Sequence, residues 1–303
     1  MLPTETVYGL AAVADLDAPP AAIFAAKGRP AWNPLIVHVA DVDAARALAA
    51  EWPAVADRLA ARFWPGPLTL VARRAAGKVP DVVTAGGDTV ALRWSSHPVM
   101  RAVLAALRRP VAAPSANRFQ SVSPTTATHA LKSLAGRVPL ILDAGPTSLG
   151  MESTVVDVSV DPPRVLRPGA ISYAALREVA PTVVSHDVVH DESSPSPSPG
   201  TARRHYAPAA RTQVVARGAV DDAARSLGAP ADARVGAVVV DGTEAPAARV
   251  IVRLPNDPEG YAAGLYAALH QMEDEGCTAI VVEAVPDTTG WEAVRDRLRR
   301  AST

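Results

Sequence analysis

Residues Pro110–Thr126 read PVAAPSANRFQSVSPTT. A short apolar run enters a loop carrying Ser115, Asn117, Ser121 and Ser123, and the loop closes on Ser-Pro. That ending predicts a helix with Ser123 as N-cap and Pro124 at its first position. Strand, polar loop and helix in succession are the parts of an α/β sheet covered by helices. Such sheets bind ligands at strand ends, and a helix N-terminus beside a strand end favours an anion. A capped loop of ordinary turn formers accounts for the same residues.

The alternation extends in both directions from this stretch. Val90–Trp94, Pro110–Ser115, Pro139–Gly145, Ser153–Ser159 and Arg164–Gly169 read as strands. Between them, Asp41–Ala50, Ala54–Phe63, Pro98–Arg108 and Thr125–Ala135 read as helices. The spacing predicts an α/β domain over residues 1–185. Residues 186–208 contain DESSPSPSPG and lack apolar periodicity, as a linker does. Residues 209–303 return to strand and helix patterns (QVVAR, VGAVVVDG, VIVRL, AIVVEAV), which predicts a second, smaller α/β domain of Rossmann-like character.

With 303 residues, 49% of them hydrophobic, the chain can bury substantial cores. Its formal charge of −1 gives no global attraction to nucleic acid or an anionic membrane, so any anion site must be local. One cysteine, Cys277, excludes an internal disulfide, and no apolar run of about 18 residues could span a bilayer. These features point to the cytoplasm. Only three of the 30 basic residues are lysines (Lys27, Lys78 and Lys132), which draws attention to each.

The sequence AAKGRPAWNPLIVHVA, Ala25–Ala40, puts Lys27 and Arg29 on a stiff turn suited to phosphate oxygens, with Asn33 and His38 close behind. A solvated loop with two surface cations reads the same way. No Walker A motif is present, so ATP would not be held by a P-loop. Arg93 stands in the apolar run VALRW and must be paired or bind an anion; a substrate carboxylate would serve. Thr89 is close enough in sequence to share that site. FWPGPLT, Phe63–Thr69, reads as a turn. Thr4, Glu5, Thr6 and Tyr8, with Glu152 and Ser153, could recognise a small polar substrate such as an amino acid, or be edge-strand and turn residues. A histidine placed as His38 is, inside PLIVHV, is more often a satisfied core residue than a catalytic one. No zinc spacing and no G-x-S-x-G elbow occurs, which removes support for a metallo-hydrolase or a covalent hydrolase.

In order along the chain, PTETVYGL, KGRPAWNPLIVHV, FWPGPLTLV, DTVALR, APSANR with SPT, ESTVVDV, LRPG and HYAP resemble the L-threonylcarbamoyladenylate synthase family, in its long form. The resemblance covers essentially the whole chain. It implies a YrdC-like twisted α/β sheet with an open cleft, plus the smaller C-terminal domain. The implied reaction converts L-threonine, bicarbonate or CO₂, and ATP with Mg²⁺ into L-threonylcarbamoyl-AMP and pyrophosphate. The product would feed a tRNA-modifying transferase complex.

The resemblance assigns Lys27, Arg29, Ser115 and Asn117 to the ATP phosphates. It assigns Asn33, Thr89, Ser123, Arg167 and Tyr206 to further ATP contacts. Thr6, His38, Arg93, Ala113 (through its backbone) and Ser153 would contact threonine or its carbamate. The segment Pro199–Pro208 would be a gating lid. Three departures stand out: Met1 and Leu2 alone precede Pro3 where relatives carry an edge helix and strand, Thr201 replaces a common lid Met, and Trp94-Ser95-Ser96 replaces a Met-Pro-like pair. A larger carbamoyl-transferring relative has zinc-finger-like and acylphosphatase segments that this chain lacks. The alternative is a module that binds structured RNA weakly and without turnover, and the near-neutral charge weighs against it.

Overall fold

The structure is a computed structural model that describes residues 1–185, 196, 198–200, 202–230 and 232–302. Most of the predicted linker, and Thr201 with it, therefore lies outside the described residues. The chain forms two compact units, one of Met1–Phe119 with Ser123–Ala202, the other of Gln120–Val122 with Arg203–Thr303. No helix among the described residues is long and apolar enough to cross a membrane.

In chain order the first unit contains β1 (Ala12–Val13), α1 (Ala18–Lys27), β2 (Ile36–His38), α2 (Val42–Arg46) and α3 (Ala54–Phe63). Then come β3 (Leu68–Arg73), α4 (Asp81–Thr84), β4 (Thr89–Arg93), α5 (Pro98–Leu107) and β5 (Val111–Ala112). It ends with α6 (Ala127–Leu134), β6 (Thr154–Asp157), β7 (Arg164–Arg167), α7 (Tyr173–Val179) and β8 (Val184–Ser185). The strands form one mixed sheet in the order β1-β5-β2-β4-β3-β6-β7-β8.

Register decides what each face of this sheet does, because directly paired residues project to the same side. Val37, Leu92, Leu70, Val156 and Val165 are paired across β2, β4, β3, β6 and β7, and all are buried in the main core. Their strand neighbours face the other way. Ile36, Ala91, Val71 and Val155 form a separate apolar floor with Leu166. On that floor side, at one end, His38 pairs with Arg93 while Thr69 pairs with Val155 and Val155 with Arg167. A period of two puts His38, Arg93 and Thr69 in one row on that side, and a register irregularity between β6 and β7 at Val155/Val156 brings Arg167 there too.

Several elements differ from the sequence reading. Helix α1 has prolines in its first turn and ends on Gly28 at φ 62°, whose N–H donates to the Phe24 carbonyl. That start-and-stop chemistry was present in the sequence but is masked by the run of prolines. FWPGPLT is a turn only as far as Pro67, and β3 begins at Leu68. Pro139–Gly145 is not a strand: Leu142 N–H donates to the Met1 carbonyl and the Met1 ammonium to the Leu140 carbonyl, without a continuous ladder. Helix α6 starts after Thr126, whose hydroxyl accepts from the His129 N–H, so Ser123 is not its cap.

The second unit has β9 (Arg211–Val215), α8 (Val220–Leu227), β10 (Val235–Val240), β11 (Val250–Leu254), α9 (Pro258–Asp274), β12 (Ala279–Glu283) and α10 (Glu292–Ala301). Its sheet is parallel throughout, in the order β11-β10-β12-β9. β10 and β12 are fully buried, which explains their continuous apolar runs.

Candidate functional site

Three segments of the first unit converge. Lys27 closes α1 and is buried; its ammonium donates to the carbonyls of Ser115 and Asn117, both at 2.5 Å. The SAN loop is thereby stitched to the helix end, and Phe119 N–H adds a bond to the Lys27 carbonyl at 2.9 Å. Burial, and after it the Arg29 charge, hold the Lys27 pKa well below its ordinary value. Arg29 donates through Nε to the Asn33 carbonyl at 3.0 Å, and through Nη2 to Asn33 Oδ1 and the Pro34 carbonyl, both at 2.6 Å. Asn33 is 1% exposed and its Nδ2 has no hydrogen-bond partner among the described residues. Because Arg29 occupies Oδ1, the amide orientation is set and Nδ2 is the atom left for a ligand.

The segment Pro3–Leu10 lies against the loop after β5. Gly9 bridges Ser115, and a Cβ on Gly9 would stand 3.1 Å from the Ala113 Cβ and 3.4 Å from its carbonyl oxygen, a tight contact that glycine avoids. Ala113 N–H is bonded to the Ile36 carbonyl. The same segment carries Glu5 and Thr6 to Arg93. Arg93 Nη1 donates to Thr6 Oγ1 at 3.0 Å, and Nη2 pairs with Glu5 Oε1 at 2.8 Å, with both side chains buried. Arg93 thus has an internal partner, one of the two alternatives, pairing or a bound anion, that the sequence left open. Ser95 Oγ donates to the other Glu5 oxygen.

Burial would raise the Glu5 pKa, but the Arg93 charge and the bonds from Ser95 and Arg93 outweigh it and hold the carboxyl at about 2. His38, next to Arg93 in register, is lowered to about 3 by burial and by the Arg93 charge, with Glu5 opposing. It is therefore a neutral imidazole, and its buried Nδ1 has no hydrogen-bond partner among the described residues. A depressed carboxylate pKa stabilises the fold above the ordinary value of 4.5, and that contribution disappears as pH falls from 4.5 toward 2. It amounts to a difference on the order of 3 kcal/mol. Urea unfolding from pH 6 to pH 3 should show a larger loss for the wild type than for Glu5→Gln; equal losses would refute the assignment.

Farther along the same row, Arg167 donates through Nη2 to the carbonyl and hydroxyl of Ser153 at 2.9 and 3.1 Å, and through Nη1 to the Pro199 carbonyl at 3.1 Å. The Ser153 hydroxyl also lies 2.8 Å from that of Thr69. Ser123 Oγ donates to the buried Glu152 carboxylate at 2.6 Å.

The structure thus brings Lys27, Arg29, Asn33, Ser115 and Asn117 into one group, and Thr6, His38 and Arg93 into a second. Thr89 does not join the second. It is four residues from Arg93, roughly 13 Å along the strand, and lines a cavity of about 370 Å³ with Pro34, Leu35, Ala91 and Asp157. Tyr206 belongs to the second unit, where its ring stacks on Tyr266 at 5.8 Å and lies under the Arg297 guanidinium at 4.7 Å. Sequence reasoning gave no role to Thr69 and no partner to Glu5. The signal for Glu5 was available, since a cation in an apolar strand calls for a buried carboxylate elsewhere.

Two family models cover the chain. One described as "Telomere recombination" matches residues 1–169, and one described as "Threonylcarbamoyl-AMP synthase, C-terminal domain" matches residues 171–303. The threonylcarbamoyl-AMP synthase of Pyrococcus abyssi (strain GE5 / Orsay) is 40% identical, over 99% of this chain and 89% of that protein. The one from Bacillus subtilis (strain 168) is 36% identical, over 99% and 88%. The crystal structure of P. abyssi Sua5 complexed with L-threonine superposes with a TM-score of 0.93 at 39% identity, over 99% of this chain and 89% of that one.

Proposed function

The chain belongs to the threonylcarbamoyl-AMP synthase family, and from that premise we propose that it converts L-threonine, bicarbonate or CO₂, and ATP into L-threonylcarbamoyl-AMP and pyrophosphate. The observation that carries this reading to the residues is the polar row at the end of the apolar floor, in which a neutral His38 with an unpartnered Nδ1 stands beside Arg93 and Thr6. Threonine binds there, its carboxylate toward Arg93 and its amine toward His38 and Ser153, with the Ala113 backbone alongside. The amine nitrogen bonds to the CO₂ carbon and loses a proton, giving a carbamate. A carbamate oxygen then attacks the α-phosphorus, and the bond to the β-phosphate oxygen breaks to release pyrophosphate.

Such a step depends on position and charge neutralisation, not on a protein nucleophile. Lys27, Arg29, Ser115 and Asn117 hold the phosphates, while Asn33 Nδ2 supplies a fixed donor. Burial works against the Lys27 ammonium, and a polyphosphate beside it would favour the charged form. Thr89, Ser123 and Arg167 complete the nucleotide contacts within the first unit. Mg²⁺ enters as part of the MgATP substrate. The product goes to the tRNA-modifying transferase complex.

Purified chain supplied with ATP, Mg²⁺, bicarbonate and L-threonine should release pyrophosphate well above a control without threonine. No excess release, together with salt-dependent tRNA binding that survives Lys27→Ala with Arg29→Ala, would replace this reading with an RNA-binding one.

A further inference from the structure

Resting on the placement of threonine at Arg93, we infer that Glu5 determines substrate specificity: its carboxylate neutralises Arg93 in advance, so the pocket accepts a zwitterionic amino acid and rejects a plain carboxylate. The Glu5–Arg93 pair is 2.8 Å long, with side chains 8% and 5% exposed. Ser95, from the stretch that departs from the family pattern, holds the second Glu5 oxygen, and its hydroxyl also accepts from the His97 N–H at 3.2 Å. Thr6 and the Gly66 carbonyl take further Arg93 N–H groups. The guanidinium is therefore held in place before any substrate arrives.

The charges around this cluster then decide which ligand fits. His38 is neutral, and burial also lowers the pKa of His97. Arg167 is on the same face but three strands away, roughly 14 Å at the usual strand spacing. Glu5 and Arg93 thus sum to zero. A zwitterion leaves the sum at zero and places its ammonium within reach of the Glu5 field, whereas a carboxylate without an amine leaves an uncompensated negative charge in a buried site. Without Glu5, Arg93 would favour any carboxylate. Glu5 acts here by positioning Arg93 and by its field, and no bond from Glu5 to the substrate is required.

The test compares L-threonine with 3-hydroxybutanoate, the same molecule lacking the amine. Affinities are read by calorimetry and by inhibition of threonine-dependent pyrophosphate release. The wild type should prefer threonine by about tenfold or more, and Glu5→Gln should shrink that preference by about tenfold, chiefly through tighter 3-hydroxybutanoate binding. A merely structural residue would weaken both ligands together, and an unchanged preference ratio in Glu5→Gln overturns the inference. Wild-type affinity for 3-hydroxybutanoate within about threefold of that for threonine also overturns it, whether or not the variant folds. Pyrophosphate release with no change in the ratio would sink only the role of Glu5. Threonine binding with the expected ratio but no release would instead sink the proposed reaction and leave the specificity role standing.

Discussion

Arg93→Leu should reduce threonine-dependent pyrophosphate release by about 10²–10³-fold, the scale for losing a preorganised charged donor from an active site. It should also destabilise the fold, for a separate reason. Glu5 would remain buried with Ser95 but without its counter-charge, and breaking such a pair from one side costs about 3–5 kcal/mol. The two effects are separable. Adding Glu5→Gln to Arg93→Leu removes the orphaned charge, so the double variant should recover much of the unfolding free energy while staying inactive. Recovery of turnover along with stability would show that Arg93 serves the fold and not threonine. Urea unfolding and the pyrophosphate assay on the wild type and three variants close the cycle.

Lys27→Met is expected to have the next largest effect. Methionine keeps an unbranched apolar stem, but the Ser115 and Asn117 carbonyls lose the donor that joins them to the end of α1. Two charge-assisted bonds in a buried place put the loss at about 2–4 kcal/mol. Because those carbonyls shape the loop proposed to hold the phosphates, turnover should fall about 10²-fold, with a raised KM for ATP and an unchanged KM for threonine. An equal rise in both KM values would place Lys27 outside the phosphate site. Lys27→Arg is not a mild alternative, since a longer planar guanidinium fork must fit where a compact ammonium sits buried between the two carbonyls.

Much of this architecture was legible in the sequence. Ala54–Phe63 reads as a helix from its apolar spacing and is one over those same residues, and the buried strands of the second unit are visible as unbroken valine runs. The failures were short or locally ambiguous elements. Pro139–Gly145 has a strand's composition without a ladder partner, and pairing is a tertiary property. Ser123 looks like a cap because Pro follows it, yet Glu152, 29 residues away, claims its hydroxyl. Lys27 and Arg29 stand out as cations on a turn, but the sequence does not reveal that both are buried and bonded to backbone carbonyls.

The sequence by itself determined the alternation of strand and helix, the two-part division, the local nature of any anion site and the motif order that marks the family. These follow from periodicity, composition and residue order, which are local. Only the tertiary structure decided that His38, Arg93, Thr69 and Arg167 share one face of the sheet, that Thr89 lies at the other end of it, and that Glu5 is the partner of Arg93. The first two depend on strand order and register, where a slip of one residue would turn those side chains to the opposite face. Glu5 and Arg93 are 88 positions apart in the chain, and no local propensity carries the attraction that joins them once the sheet has buried both.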